Sequence, residues 1–550
     1  MNRALALLLA FTPVLLSQSP TRDEALAAMR KAAQFYSGPV SPHGGYHFAY
    51  AEDLSYGRSE QSEGLNRIEN QRDGTPRVAM AFLEAYAATR DPLYLNAAKR
   101  AAHALVQGQL CSGGFDYSVE FDPALRKKYP YRAEHNCASP STPKHPPTTL
   151  DDNVTQACLR VLMRVDKLLG FADKPIHEAA LYGLDSLVKA QYANGAWPQR
   201  YSEFPDPSAH QPKKASYPAS WSRDWPGEIY KGHYTFNDNS MIDNMDCLLE
   251  AGRLYNQPRY TASAMKGAQF ILDAQMPEPQ PAWAQQYDAN MHPAWARVFE
   301  PPSVTGGESQ SIIEMLMVFY RETGKREYLD AISPALRWLE SSVLPPVANP
   351  SEARRRIKPG EPVLARFYEL KTNRPLYITK GMMINALGSG SKRPDGYRIS
   401  YTDESVITHY GVLTSGARLA DLRKQFDALA KVPYTAALRR PLDLHGLSPW
   451  SSDDRDPLAK RPKPERVTQI IAAMDARGAW LQDGVIGKAN EVVNVFAARP
   501  MVLTINGRPI EIKENDRIQL FDGQQPPRTK IIRSTTFANN LETLAAYARQ

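Results

Sequence analysis

The chain has 550 residues, of which 43% are hydrophobic and 23% are charged, so its composition excludes a disordered or fibrous protein. The formal net charge of +7 favours an anionic partner, such as nucleic acid, anionic lipid or an acidic polysaccharide. The densest basic run is Arg354-Arg355-Arg356, which is more typical of a solvated loop than of a nucleic-acid-binding surface.

The N-terminus is typical of an export signal. Arg3 precedes an apolar run from Ala4 to Leu16, and the small residues Ser17 and Ser19 follow near a plausible cleavage point. A signal anchor is the alternative, although the run is short for a bilayer span. We therefore expect a signal peptide at residues 1–19, a secreted or periplasmic protein and no stable membrane association. Export argues against nucleic acid and leaves an acidic polysaccharide as the expected partner of a monomer.

A repeated helical hairpin dominates the next 300 residues. Apolar residues such as Val78, Phe82 and Tyr86 recur at three- and four-residue steps, which is the spacing of a core-facing helix. The first helices of the pairs are predicted at 74–89, 152–168, 238–255 and 307–323. The second helices are predicted at 94–107, 176–189, 259–273 and 328–339. The first three second helices end near a glutamine and lead to a turn with an aromatic residue. Because neither helix can bury its face alone, the pairs should pack side by side into an α/α toroid.

The first helices of the pairs begin at polar turns. These turns are Asp73-Gly74, Asp151-Asp152-Asn153, Asn237-Asp238-Asn239 and Gly306-Gly307-Glu308-Ser309. Asp and Asn at such positions often only cap the helix. In a toroid, however, equivalent helix ends point to the same side, so one rim would gather carboxylates and amides.

The C-terminal region is less regular. Single helices are predicted at 413–429, 467–479 and 537–547, and alternating apolar residues with Gly507 and Gly523 predict strands within 485–535. The fold class expected is mainly α, an α/α toroid with a minor β element near the C-terminus. Residues 20–480 would form the toroid with its long loops, and residues 481–550 the β element with a closing helix packed on it.

Four cysteines are present. Cys111 and Cys137 flank a loop, so a disulfide between them is possible but not determined by the sequence. Cys158 and Cys247 fall in helical patterns and are expected to be buried thiols.

The tripeptide Asn237-Asp238-Asn239 is the strongest metal candidate. Carboxylate, amide and carbonyl oxygens suit Ca²⁺, whereas zinc would require His or Cys clusters that the sequence does not show. Asp238, Asn239 and Glu308 are the predicted ligands, with Asp151, Asp152 and Glu300 as further acidic groups at the same rim. A helix cap with a buried polar turn is the alternative.

Aromatic and arginine residues supply candidate binding groups. Trp197 lies on a turn between Gly195 and Pro198, where an exposed indole could stack on a sugar; a core anchor is the alternative. Arg366 and Arg374 could pair with carboxylates, although an isolated arginine is more often a surface ion-pair partner.

Several motifs together resemble the family 10 polysaccharide lyases, which are pectate lyases built on an (α/α)3 toroid. The matching stretches are 152–156, 195–201, 233–239, 295–308, 365–375, 467–481 and 534–547. Ala196, in place of a common glycine, and the segment 381–397 depart from the family pattern.

The resemblance implies calcium-assisted β-elimination of polygalacturonate. Asp238 would then hold calcium and the substrate carboxylate, and Arg366 would be the base, although Arg374 could have that role instead. Arg374, Asn373, Trp197, Tyr368 and Arg297 are the expected substrate-binding residues. A glycoside hydrolase using Glu300 and Glu308, or a non-catalytic binder of acidic glycan, are the alternatives. The sequence leaves open endo or exo action, preferred chain length, methyl-ester tolerance and the number of calcium ions.

Overall fold

The computed structural model describes most of the chain. The described residues are 19–227, 230–348, 350–380, 397–403, 412–439, 445–446, 457–486, 492–496, 501–505, 508–512, 517–521 and 528–549. The apolar run of the predicted signal peptide and most of segment 381–397 lie outside the described residues. Among the helices that are described, none combines the length and the apolar character needed to cross a bilayer.

The chain is mainly helical. The helices are α1 Arg22–Ser37, α2 Thr75–Thr89, α3 Pro92–Gly108, α4 Pro123–Arg126, α5 Val154–Leu168, α6 Lys174–Ala190, α7 Ser240–Leu254, α8 Pro258–Asp273, α9 Glu308–Thr323, α10 Glu327–Ser341, α11 Glu352–Arg355, α12 Leu419–Lys431, α13 Pro464–Ala472 and α14 Ser534–Ala548. Short 3-10 turns lie at Asp151–Asn153, Asn237–Asn239 and Ala436–Leu438.

The strands are short. They are β1 Ala49–Ala51, β2 Gly57–Arg58, β3 Arg67–Glu69, β4 Ser118–Glu120, β5 Thr148–Thr149, β6 Arg200–Tyr201, β7 Tyr234–Thr235, β8 Gln286–Tyr287, β9 Val304–Thr305, β10 Val363–Ala365, β11 Phe367–Tyr368, β12 Pro375–Lys380, β13 Tyr397–Ser400, β14 Leu413–Ser415, β15 Leu481–Gly484, β16 Val492–Phe496, β17 Met501–Ile505, β18 Arg508–Ile512, β19 Arg517–Phe521 and β20 Thr529–Arg533.

The helices form the two layers of an α/α toroid, as predicted. Helices α2, α5, α7, α9 and α14 are buried on nearly every side and form the inner layer. Helices α1, α3, α6, α8 and α10 are buried along one face and form the outer layer. All the predicted hairpins, α2–α3, α5–α6, α7–α8 and α9–α10, are confirmed.

Glutamines at the ends of the outer helices join successive repeats. The Gln109 amide donates to its own turn at Gly113 O and to the next outer helix at Ala179 O, both at 2.8 Å. Gln191 does the same with Gly195 O at 2.8 Å and Ser263 O at 3.0 Å. Because each side chain satisfies carbonyls of two neighbouring hairpins, it fixes their relative position.

The aromatic residue after each turn is a core anchor. Trp197 is 1% exposed, and its indole Nε1 donates to Leu187 O at 2.8 Å. Trp283 and Trp480 repeat that bond, to Ile271 O and Ile470 O, and Trp480 follows α13. The prediction of Trp197 as a sugar platform is therefore wrong. Helix α13 with Trp480 is a further outer helix of the same type, which the sequence pattern did not reveal.

The ends of the chain meet in the fold. Helix α14 packs against α1 and α2, and β20 pairs with both β1 and β15. Strands are present within 485–535 as predicted, with the pairs β16–β19 and β17–β18. The helix predicted from Leu413 begins only at Leu419, because Leu413–Ser415 pairs with β10 instead. The domain boundary at 480 remains a prediction.

The cysteine expectations are also resolved. Cys111 and Cys137 form a disulfide, and Cys158 and Cys247 are buried thiols.

A buried ion network joins α5 to α7. Arg164 Nε lies 2.8 Å from Glu250 Oε1, Arg160 also pairs with Glu250, and Arg160 Nη2 lies 3.2 Å from Asp246 Oδ1. Burial opposes ionisation of Glu250, but the charges of Arg164 and Arg160 outweigh it and lower its pKa. The charged form is therefore an integral part of the core.

We expect Glu250→Ala to lower the free energy of unfolding by about 3–5 kcal/mol, because it leaves the buried guanidinium of Arg164 without its anion and that of Arg160 with Asp246 alone. Glu178→Ala is the control, since Glu178 is exposed and lies 3.8 Å from Lys174 on the surface of α6; its effect should stay within about 0.5 kcal/mol. Denaturant unfolding measures both. Equal losses for the two variants would contradict a structural role for the network.

Candidate active site

The polar turns that precede two inner helices lie side by side at one rim of the toroid. The 3-10 turn Asp151–Asn153 leads into α5, and the turn Asn237–Asn239 leads into α7. In both turns the last two residues are left-handed, with φ of 51° and 54° for Asp152 and Asn153 and 49° and 59° for Asp238 and Asn239. This conformation costs about 1–2 kcal/mol for most non-glycine residues, and Asp and Asn tolerate it best. The strained backbone fixes where the carboxylates point.

Three aspartates converge there. Carboxylate oxygens of Asp151, Asp152 and Asp238 all lie within 4.8 Å of one another; Asp151 is buried and Asp238 is the most exposed. The Tyr117 hydroxyl donates to Asp151 Oδ2 at 3.0 Å and to Asp152 Oδ2 at 3.3 Å. Gln71 Nε2 donates to Asp152 Oδ2 at 3.1 Å. We call these three aspartates the aspartate cluster.

The aspartate cluster resists ionisation. Although the Asp238 side chain is 37% exposed, the surrounding protein displaces enough water to be the main cause that raises its pKa to about 6, with added repulsion from Asp151 and Glu308 and opposition from Arg366. Burial and the charge of Asp152 raise the pKa of Asp151, and burial and the charge of Asp238 raise that of Asp152. When the three aspartates are ionised, their negative charge is therefore only partly neutralised by neighbouring cationic side chains.

The aspartate cluster fits a hard cation. Asp151 Oδ1 and Asn153 Oδ1 are buried and have no hydrogen-bond donor among the described residues. Buried polar atoms are normally paired, so unpaired oxygens beside repelling carboxylates leave positions at which a cation could bind. Oxygen ligands of this type suit Ca²⁺, which accepts irregular oxygen coordination.

Arg366 lies directly beside the aspartate cluster. Its Nη2 is 3.7 Å from Asp238 Oδ1, donates to Asn237 Oδ1 at 2.7 Å and to Glu308 Oε1 at 2.8 Å, and its Nε donates to Gln285 Oε1 at 3.2 Å. The side chain is only 14% exposed. Asp238 and Arg366 are far apart in sequence, but their side chains lie close together, as predicted.

A second arginine is joined to the first by hydrogen bonds. Arg297 makes two bonds to the buried Glu300, from Nε at 2.9 Å and from Nη2 at 2.8 Å. Gln285 Nε2 donates to Glu300 Oε1 at 2.8 Å and its Oε1 accepts from Arg366. The charge of Arg297 also acts on Asp151 and Asp238. Arg297 thus flanks the aspartate cluster, as its predicted substrate-binding role requires.

A cavity of about 570 Å³ opens at this rim. Its walls include Asp152, Asp238 and Asn239, together with Glu60 and Asp73. Clefts of this size are common for ligands and substrates. Asn239 therefore faces the cavity beside Asp238, but its role as a ligand stays a prediction.

Four other predicted site residues have structural roles or lie elsewhere. Tyr368 is 1% exposed and donates to Ser342 O at 2.6 Å, so it is a core residue. Asn373 holds a left-handed turn, with its side chain bonded to Trp338, Gln280 and Ser342. Arg374 lies over the Tyr401 ring at the far end of β11, away from the aspartate cluster. Glu308 is bonded to Arg366 and Thr305 and lies outside the group of converging carboxylates.

Two site residues were not predicted: Tyr117 donates to Asp151, and Gln285 accepts from Arg366. Asn237, which belongs to the predicted metal tripeptide, accepts from Arg366. Asp151 and Asp152, predicted as further acidic groups at the rim, take the place of Glu308 in the group that could hold a metal ion. The sequence did carry one signal, since Asp151-Asp152-Asn153 and Asn237-Asp238-Asn239 occupy equivalent helix entries.

Comparison with known families identifies the chain. A family model described as pectic acid lyase matches residues 125–405, just over half of the 550 residues. The chain belongs to the pectic acid lyase family. It is therefore a polysaccharide lyase. No curated protein matches it significantly.

Solved structures include relatives of low similarity. The family 10 polysaccharide lyase from Cellvibrio cellulosa is 22% identical over 54% of this chain and 82% of its own, with a TM-score of 0.37. A mutant of that lyase in complex with trigalacturonic acid is 20% identical over 66% and 99%, with a TM-score of 0.41. A D-mannose isomerase is 13% identical over 75% and 98%, with a TM-score of 0.39. The family assignment rests on the sequence model.

The raised pKa of Asp238 predicts a stability cost for the lyase without metal. The folded protein holds this proton to about pH 6, whereas the unfolded chain releases it near its ordinary value of 3.8. Between about pH 4 and pH 6 the folded state binds more protons, so the free energy of unfolding falls as pH rises, and the full cost is present above pH 6.

At pH 7 with chelator present, we expect Asp238→Asn to unfold at a higher denaturant concentration than wild type. Its free energy of unfolding should be larger by about 1 kcal/mol, after allowance for the 37% exposure of the side chain. At pH 4 the difference should vanish. The exposed Asp206, whose hydrogen bonds with Ser208 lower its pKa, provides the control, and Asp206→Asn should give no gain. A less stable Asp238→Asn protein at pH 7 would contradict the repulsion.

Proposed function

We propose that this lyase is an exported, calcium-dependent pectate lyase that cleaves polygalacturonate by β-elimination. One observation carries the proposal: a guanidinium lies 3.7 Å from one of three converging carboxylates on the rim of a cavity. Family membership supports a pectic substrate. The export-type N-terminus supports an extracellular or periplasmic site of action.

The proposed cation site consists of Asp151, Asp152 and Asp238, with Asn239 as a neighbouring oxygen donor. When bound there, calcium supplies positive charge for the carboxylate of the sugar whose C5 proton is removed. That proton is otherwise poorly acidic, because its loss places a second negative charge beside the carboxylate. Arg297, held by Glu300 at the same rim, can pair with a uronate carboxylate and orient the chain.

Arg366 is the proposed base. It takes the proton from C5, the C–H electron pair forms the C4–C5 double bond, and the glycosidic oxygen leaves C4 with its bonding pair and gains a proton from water. To accept a proton Arg366 must be neutral, which its ordinary pKa above ~12 opposes. Burial of its side chain disfavours the charged form, whereas Glu308 and the nearby Asp238 favour it.

The location of the two arginines distinguishes their roles. Arg374 was the alternative base, but it stacks on Tyr401 beyond the far end of β11, whereas Arg366 adjoins Asp238. The hydrolase alternative relied on Glu300 and Glu308. Both are bonded to arginines, which stabilise a carboxylate as an anion and not as the proton donor that glycoside hydrolysis needs.

The proposal is tested with polygalacturonate as substrate. We expect wild type to release unsaturated uronate ends, seen as rising ultraviolet absorbance, and to stop when a chelator is added. Reducing ends without that absorbance would indicate hydrolysis, and binding without products would indicate a non-catalytic binder; either result would reject the proposal.

We expect Arg366→Lys to lower kcat by about 10²–10⁴-fold, the usual contribution of a positioned proton acceptor, because lysine cannot reach Glu308, Asn237 and Gln285 together. Arg374→Lys should leave kcat unchanged, because Arg374 lies over the Tyr401 ring and away from the aspartate cluster. The remaining activity of Arg366→Lys should rise with pH, because only a neutral lysine amine can accept the C5 proton. Similar losses for the two variants would remove Arg366 as the base.

A further inference from the structure

A second group of cations lies at the other end of strand β11 from Arg366. Glu369, which follows β11, is 3% exposed and accepts from the Tyr401 hydroxyl at 2.7 Å, while Arg223 Nη2 lies 2.6 Å from its Oε1. Burial works against ionisation of Glu369, but hydrogen bonds from Thr372 and Tyr401 and the charges of Arg223 and Arg374 outweigh it and lower its pKa. One buried anion thus pairs with Arg223 and also interacts electrostatically with Arg374.

Both arginines lie flat on aromatic rings. The Arg223 guanidinium carbon is 3.7 Å from the centre of the Trp221 ring, and that of Arg374 is 3.6 Å from the centre of the Tyr401 ring. Arg223 is 51% exposed, and Arg374 is also exposed. The Arg374 guanidinium has no hydrogen-bond partner within the part of the chain that the structure describes. Stacking fixes the planes of these groups and leaves N–H edges available to an anion.

The loop that carries Arg223 is attached to the loop that carries Arg297. Trp225 Nε1 donates to Ala296 O at 2.8 Å, and Trp295 Nε1 donates to Ser222 O at 2.9 Å. Along β11, Arg366 and Glu369 are three residues apart, a separation of about 10 Å in an extended strand. The two joined loops therefore connect the neighbourhood of the aspartate cluster, at Arg297, with the two stacked arginines.

We propose that Arg223 and Arg374 form a distal subsite that binds a uronate carboxylate of the polysaccharide remote from the cleaved bond. An acidic polysaccharide repeats its carboxylate at every sugar, so a chain held at the aspartate cluster presents another one further along. Planar guanidinium groups match a carboxylate with two parallel hydrogen bonds. The subsite rests on the proposed function for its ligand, but it needs no metal ion.

Because the subsite needs no metal ion, its binding of polygalacturonate can be measured with calcium removed. Native gels containing polygalacturonate and a chelator retard a protein that binds the polymer, and the retardation gives an affinity. We expect Arg223→Gln and Arg374→Gln each to weaken binding by about fivefold. Arg259→Gln is the matched control, because Arg259 also stacks on a tyrosine, Tyr260, and pairs with a carboxylate, but lies on outer helix α8. Unchanged binding in both variants, or an equal loss in the control, would overturn the subsite.

A turnover test separates the subsite from the reaction. With calcium, the two variants should show a raised KM for long polygalacturonate and an unchanged kcat. On the shortest oligogalacturonate that wild type cleaves, both constants should match wild type. Equal losses on short and long substrates would overturn the subsite. If wild type forms no unsaturated product, the proposed reaction fails, while the gel measurement still decides whether the subsite exists.

Discussion

Mutual repulsion of three carboxylates is the constraint on which the rest of the site depends. Asp151, Asp152 and Asp238 are brought within 4.8 Å by turns in a disfavoured backbone conformation. The two turns stay in place because they begin inner helices that pack against each other in the core of the toroid. Hydrogen bonds from Tyr117 and Gln71 compensate part of the charge. The remaining negative charge is what makes this rim suited to a cation.

Arginines and acidic residues alternate around the aspartate cluster. Glu308 and Gln285 hold Arg366 beside Asp238, and Glu300 holds Arg297 while sharing Gln285 with Arg366. Such a network fixes both guanidinium planes before any substrate is present, and catalysis benefits when charged groups need no rearrangement. The same arrangement recurs at Glu369, which pairs with Arg223 while Arg223 lies on the Trp221 ring. Acidic anchors that orient arginines thus recur along the surface that we assign to an acidic polymer.

The helical hairpins could be predicted from sequence because their signal is local. Residues such as Val78 and Phe82 repeat with the helical period, and the predicted hairpins agree with the structure to within a few residues. Leu413–Ser415 was assigned to a helix because its pairing with β10, about fifty residues earlier, has no local signal. Likewise Trp197 occupies a turn typical of an exposed platform, yet the fold places it in the core.

The site was only partly predictable for the same reason. The polar turns before the inner helices indicate Asp238 and its neighbours, but not which of several rim carboxylates converge. Glu308 is therefore among the predicted ligands, whereas Asp151 and Asp152 are the carboxylates that converge with Asp238. Arg366 and Arg374 are close in sequence, but a turn and the strand pair β11–β12 place them at opposite ends, and only one meets the aspartate cluster. These distinctions depend on contacts between distant segments.

Calorimetric titration of calcium into the metal-free protein tests the central claim most directly. The account predicts saturable binding by wild type that is abolished in Asp152→Asn, and is retained in Asp73→Asn, which changes an exposed carboxylate of the same cavity outside the aspartate cluster. Calcium binding that survives in Asp152→Asn, or that is lost equally in Asp73→Asn, would contradict it.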